Sequence, residues 1–103
     1  MPKLESSIKL TPDFYNLDID KLTIQESPKF LLRAMLNVKK DQDGYFKYGD
    51  LLDFMINNYN NKHYYNGKGI KSLDNLDRYW NYANSTNHSA TIPDFKSYYY
   101  PFT

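Results

Sequence analysis

The residues with the clearest claim to chemistry stand in "KKDQDGYFKYGDLL", residues 39–52. Aspartates spaced around a glycine raise the question of a calcium loop. With Gly44 at the sixth place of such a loop, Lys39 falls at the first, Asp41 at the third, Asp43 at the fifth, Tyr45 at the seventh and Asp50 at the twelfth. The first place must supply a carboxylate and the twelfth a glutamate that chelates through both oxygens. An ammonium and a shorter aspartate stand there instead. The stretch therefore reads as a turn: Asp-Gly before an aromatic pair bends the chain, leads into a short strand and hands it to a helix.

The other chemical candidates resolve in the same direction. His63 and His88 are the only imidazoles, set in polar loops with no second histidine at metal-binding spacing. There is no cysteine, which removes disulfides, thiolate metal sites and a thiol nucleophile together. The serines of "ESSIK", "KSLD" and "NSTNHSA" lie outside any nucleophile-elbow sequence and read as caps or loop residues. "NGKGIKS" lacks the glycine spacing and ending of a phosphate loop. Asp74 and Asp77 suit the first turn of a helix, where the dipole favours negative charge. The expectation is a binding domain with no metal and no cofactor rather than an enzyme.

A chain of 103 residues makes one domain with a single core. Thirteen basic and twelve acidic residues leave it near neutral, so the broad positive field of a nucleic-acid binder is missing. No apolar run reaches the length of a signal sequence or a membrane span, and the chain reads as a soluble, monomeric intracellular domain. Eleven tyrosines suit half-buried positions at a binding surface.

These side chains must be positioned by a mainly α fold with short β hairpins. Residues 1–22, with scattered apolar positions and two prolines, read as an N-terminal arm laid over a core formed by residues 23–103. Ser27 and Pro28 open a first helix, in which Phe30, Leu31, Ala34, Met35 and Val38 recur at helical spacing. Asp50 lies in the favourable first turn of a second helix. At about 100° per residue, the apolar positions of that helix cover roughly 200°, about twice the stripe one core requires. One edge, Leu51, Phe54 and Met55, suits the core. The other, Leu52, Ile56 and Tyr59, is left to line a groove, meet a partner or lie between two layers. Ile70 marks a possible short strand. Ser72 can cap a third helix that shows Leu73, Leu76, Trp80 and Ala83 on one face. Thr91 and Asp94 form a capping-box pair before a short last helix carrying Ile92, Phe95, Tyr98, Tyr99 and Phe102.

Lys62, His63, Lys68 and Lys71 fall within ten residues that contain no acid. They form either a solvated loop or a positive rim that steers in an acidic peptide.

Taken together, "TIQESPKFLLRAMLNVKKDQDGYFKYGDLLDFMINNYNNKHYYN", "IKSLDNLDRYW" and "SATIPDFKSYY" resemble the SWIB/Mdm domain family. The closest likeness is to the N-terminal domain of the Mdm ubiquitin ligases, over residues 23–102. The resemblance implies a helical domain with a deep hydrophobic cleft. That cleft would receive an amphipathic, acidic helix from a transcription factor's activation domain, in the helix-in-groove mode. The family's cleft-lining places fall on Leu52, Met55, Ile56, Tyr59 and Tyr65 on one wall, and on Ile92, Phe95, Tyr98 and Tyr99 on the other. Ile56 stands where the ligase domains carry a glycine, and Asn60 replaces a methionine; both bear on the width of the cleft. A nuclear or nucleocytoplasmic setting follows from the same resemblance, as does a catalytic ligase region elsewhere in the parent protein.

Two alternatives stand beside it. The SWIB domains of chromatin-remodelling factors, which serve as assembly modules, match residues 55–80 about as well. Three helices with a turn and a late hairpin also suit a winged-helix DNA binder, although its recognition helix would then carry two aspartates and one arginine.

Overall fold

Alternating polar and apolar residues at the start of the chain, Ser7-Ile8-Lys9-Leu10, form the first strand, β1, at Ser7–Lys9. A computed structural model of the protein describes residues 2–23, 26–59, 70–85, 92 and 94–102, the side chains of residues 26, 27 and 59 excepted. After β1 come a single helical turn, α1 (Pro12–Tyr15), and a 3-10 turn at Ile19–Lys21. The remaining elements are α2 (Glu26–Asn37), β2 (Tyr45–Lys47), α3 (Tyr48–Tyr59), α4 (Leu73–Asn84) and a 3-10 turn at Phe95–Tyr98. Among the described residues the fold is thus mostly helical, with four helices and a two-stranded antiparallel sheet in which Ser7 faces Lys47, Ile8 faces Phe46 and Lys9 faces Tyr45. A Cα radius of gyration of 12.8 Å is that of one compact domain of this length.

The arm read from residues 1–22 is laid over the core and belongs to it. Ile8, Leu10, Phe14 and Ile19 are all buried, against Leu31, Leu32, Met35, Phe46 and Leu51 of the later elements in the same cluster. The arm also closes the start of α3. Ser6 C=O accepts from Tyr48 N–H at 3.0 Å and Leu4 C=O from Gly49 N–H at 2.9 Å, which satisfies two of the donors that a helix start leaves open. Asp50 reaches back to accept from Lys47 N–H at 3.2 Å, one half of a capping box.

The sequence expects α2 to open at Ser27 and Pro28, but it starts at Glu26, so Pro28 sits within the first turn, where its missing N–H costs nothing. Any capping by Ser27 lies outside the described side chains. Leu32, absent from the expected core set, is fully buried beside Leu31. The C-terminus of α2 is capped by Lys40, whose Nζ donates to Met35 C=O at 2.6 Å and to Leu36 C=O at 2.7 Å. Ser72 caps α4 by accepting from Asn75 N–H, and Leu76, Tyr79, Trp80 and Ala83 are its buried face. Asp77 does not serve the helix dipole alone: its carboxylate accepts a 2.8 Å hydrogen bond from the hydroxyl of Tyr48, whose ring is fully buried.

The Asp-Gly stretch is a turn. Asp41 Oδ1 accepts from Asp43 N–H and Tyr45 N–H, both at 2.9 Å, Gly44 N–H donates to Asp41 C=O at 3.0 Å, and Gly44 adopts φ +88°. A methyl group there would meet Lys9 Cε at 3.6 Å, an ordinary contact, so the obstacle to a side chain is the backbone alone. Gly44→Ala should cost about 1–2 kcal/mol, the penalty of holding an L-residue in left-handed backbone. Thermal or urea melts measure it, and an unchanged midpoint would show that the turn relaxes freely.

The end of the chain departs from expectation. Instead of an α-helix from Ile92 to Phe102, one 3-10 turn spans Phe95–Tyr98, with Asp94 left-handed at φ 57° before it and Tyr99 extended after it. Thr91 lies outside the described residues. The physical reason is a competing partner: Thr11 N–H takes Tyr98 C=O and Tyr100 N–H donates to Lys9 C=O, so strand pairing with the arm displaces helical hydrogen bonding.

Candidate functional site

Helix α3 is apolar on more than one side. Leu51 and Met55 are fully buried, on the stripe that faces α2. Leu52 and Ile56, about 100° round the helix from them, are half-buried, packed against the core at their bases. Phe54 lies on the opposite flank and is also half-buried. It packs against the core on the Leu51 side as expected, but only in part, and its remaining surface lines a groove of about 540 Å³ with Val38, Tyr45 and Phe46. One residue of difference accounts for this, because position 54 falls about 60° beyond Leu51 on the side away from Met55.

The second expected wall splits by depth. Ile92 and Phe95 are buried, whereas Tyr98 and Tyr99 keep part of their surface. Tyr98 sets its ring edge-on against Phe14 at 6.1 Å. Tyr99 lies 5.0 Å from Trp80, 5.2 Å from Phe95 and 5.5 Å from Phe102, with which it stacks almost parallel. Burial raises the Tyr99 phenol above the usual tyrosine range, opposed by hydrogen bonds from Asn84 and Trp80 that favour the phenolate. A ring held this way is part of the core's lid, so its removal would register in stability.

Trp80 links the start of α3 to the C-terminal aromatic segment. Its indole meets Tyr48, at the base of α3, edge-on at 5.5 Å and Phe95 at 5.0 Å. Of the expected cleft residues, Met55, Ile92 and Phe95 are buried, while Leu52, Ile56, Tyr98 and Tyr99 keep accessible surface. Tyr65 and the side chain of Tyr59 lie outside the described residues, as do Lys62, His63 and Lys68 of the basic rim. Lys71 is described: its side chain is exposed, with no acidic partner among the described residues, and its N–H donates to Asn75 Oδ1 at 3.0 Å.

Sequence reasoning did not find the groove beside Phe54 or the Tyr48–Asp77 bond. The groove had a readable signal, since Val38, Tyr45, Phe46 and Phe54 surround the turn in sequence. The bond joins residues 29 apart and had none. Among the described residues no group of three His, Cys, Asp or Glu converges as a metal site, and no helix is long and apolar enough to cross a membrane. No protein-family model, curated protein or solved structure matches the chain.

Proposed function

We propose that this chain is a protein-interaction domain of the SWIB/Mdm type, which takes an amphipathic, acidic transactivation-type helix against α3 and the C-terminal aromatic segment. One observation carries the reading: α3 buries Leu51 and Met55 completely, yet presents further apolar surface at Leu52 and Ile56, beyond what its own core uses. Tyr98 and Tyr99 offer half-buried aromatic surface from the other wall. Lys71, which has no acidic partner among the described residues, complements an acidic partner together with Lys62, His63 and Lys68 near it in sequence. On this reading the domain is a monomeric, nuclear or nucleocytoplasmic recognition module without catalytic chemistry of its own, and any ligase activity belongs to another region of the parent protein.

The test is a titration with a labelled amphipathic acidic peptide bearing aromatic and leucine anchors. Leu52→Ala should weaken binding by about 1–3 kcal/mol, as for an aliphatic contact at a hot spot. Its thermal midpoint should shift much less than that of Leu51→Ala, because Leu52 is already partly in water. If Leu52→Ala stays folded and binds as tightly as the parent, the cleft reading fails and the SWIB-type assembly reading takes its place. A DNA duplex titrated at the same salt tests the winged-helix reading. That reading has one observation in its favour, since β2 runs straight into α3 and α4 follows, although α4 exposes Asp74 beside Arg78.

A further inference from the structure

The far side of the sheet carries a second surface, independent of the peptide reading. Leu10 bridges Tyr99 in antiparallel sense, with Tyr100 N–H donating to Lys9 C=O at 2.9 Å and Thr11 N–H to Tyr98 C=O at 3.0 Å. The arm strand therefore has a partner on each edge, β2 on one and residues 98–100 on the other. Side chains alternate across a strand. Ile8, Leu10 and Phe46 point into the core, which leaves Lys9, Tyr45 and Tyr100 on the opposite face. The registers set Lys9 directly between the two tyrosines. Two strand spacings put those tyrosines roughly 10 Å apart.

This row is accessible and charged. Tyr100 is 44% exposed, Tyr45 and Lys9 are half-exposed, and Lys9 Nζ lies 5.4 Å from the centre of the Tyr45 ring. Next to Tyr45, Lys39 and Lys47 line the groove described above. Lys47 is engaged by Glu5 at 2.8 Å, whereas Lys39 has no acidic partner among the described residues. Asp41, Asp50 and Asp53 line the same groove, which is therefore of mixed charge, and Lys9 and Lys39 are lysines of this face with no acidic partner among the described residues.

We propose that this sheet face binds single-stranded nucleic acid, with a base stacked on Tyr100, a second beside Tyr45, and backbone phosphates on Lys9 and Lys39. Two π faces separated by a cation match a polyanion whose repeating units are planar. A neutral apolar segment would leave Lys9 unmatched. A duplex hides its base faces, so the rings would gain nothing from it. The near-neutral chain, with a net charge of +1, places the weight of binding on stacking rather than on a broad field.

Fluorescence anisotropy with a dye-labelled single strand of about twelve nucleotides at low salt tests this, with a duplex of the same sequence beside it. The parent chain should bind the single strand and prefer it to the duplex. Tyr100→Ala should weaken binding about tenfold and Tyr100→Phe should restore it, because the ring does the stacking. Lys9→Gln should lower the salt slope by about one ion. Alanine keeps the Tyr100 backbone N–H in the sheet, a thermal melt of each variant checks its fold, and Tyr45→Leu is a second ring deletion. Absence of binding at low salt overturns the proposal. So does binding indifferent to Tyr100→Ala and Tyr45→Leu in folded proteins, or a duplex held as tightly as the single strand.

Discussion

Trp80→Ala is expected to abolish the folded state at ambient temperature or to leave it populated only in part. The indole is 1% exposed and lies within 6.0 Å of four rings, those of Tyr48, Phe95, Tyr99 and Phe102. Truncating a buried tryptophan costs about 3–5 kcal/mol, from lost transfer energy and from the void that a rigid surround leaves behind. A domain of this size has only about 5–15 kcal/mol in total. Circular dichroism with a urea titration measures the loss. A midpoint within a few tenths molar of the parent would show that the C-terminal aromatics collapse onto the site, and with it that Trp80 is not what ties them to the start of α3.

The second large effect is at alkaline pH. Tyr48 is fully buried and donates to Asp77 at 2.8 Å; burial first, then the hydrogen bond and the aspartate's charge, push its phenol far above the usual tyrosine range. The folded chain therefore holds this proton more tightly than the unfolded chain. Its contribution is complete below the unfolded tyrosine value of about 10 and declines as the pH rises past it, at about 1.4 kcal/mol per pH unit, until the folded phenol itself ionises. Tyr48→Phe should cost about 1.5 kcal/mol at neutral pH, for a hydrogen bond to a charged acceptor. It should also flatten the alkaline limb of stability against pH. Urea melts between pH 7 and pH 11 on both proteins decide it: parallel curves above pH 10 would mean that Tyr48 is not the group holding the proton.

What the sequence disclosed depended on whether the governing contact was local. The turn at Asp41–Gly44, the cap at Ser72 and most of the buried faces of α2 and α4 follow from residues within a few positions of one another and were legible, although Phe30 and Leu73 are only half-buried while Leu32 and Tyr79, not in the expected sets, are buried. The two-sided apolar character of α3 was legible as well, although Phe54 is only half-buried on its edge because a 200° spread does not say where its centre lies. Burial of Leu51, Tyr48 and Met55 fixes that centre, and only the packing of α2 and the arm decides it. The arm lies over the core as its scattered apolar positions suggest, and the alternation in Ser7-Ile8-Lys9-Leu10 is the period-two signal of the strand within it. The last segment could not be read locally at all. Tyr98, Tyr99 and Phe102 recur at helical spacing, but Lys9 and Thr11, at the other end of the chain, claim the backbone that a helix would need.

That claim sets the order in which the molecule can assemble. β1 leaves the ribosome before either of its neighbours: the one on one edge is made only when Tyr45–Lys47 emerge, and the one on the other only with Tyr98–Tyr100. Closing a loop across nearly the whole chain carries an entropy cost before any contact repays it, and such topologies fold slowly. During synthesis, then, the first strand waits with both edges open, paired with nothing until the middle of the chain arrives and half-paired until the end does. The aromatic residues that complete the sheet are also those that lid Trp80, so strand closure and core closure are a single late event. A nascent chain stalled before Tyr98 would expose Trp80 and an unpaired edge of β1 together, the combination that molecular chaperones recognise and that aggregation exploits.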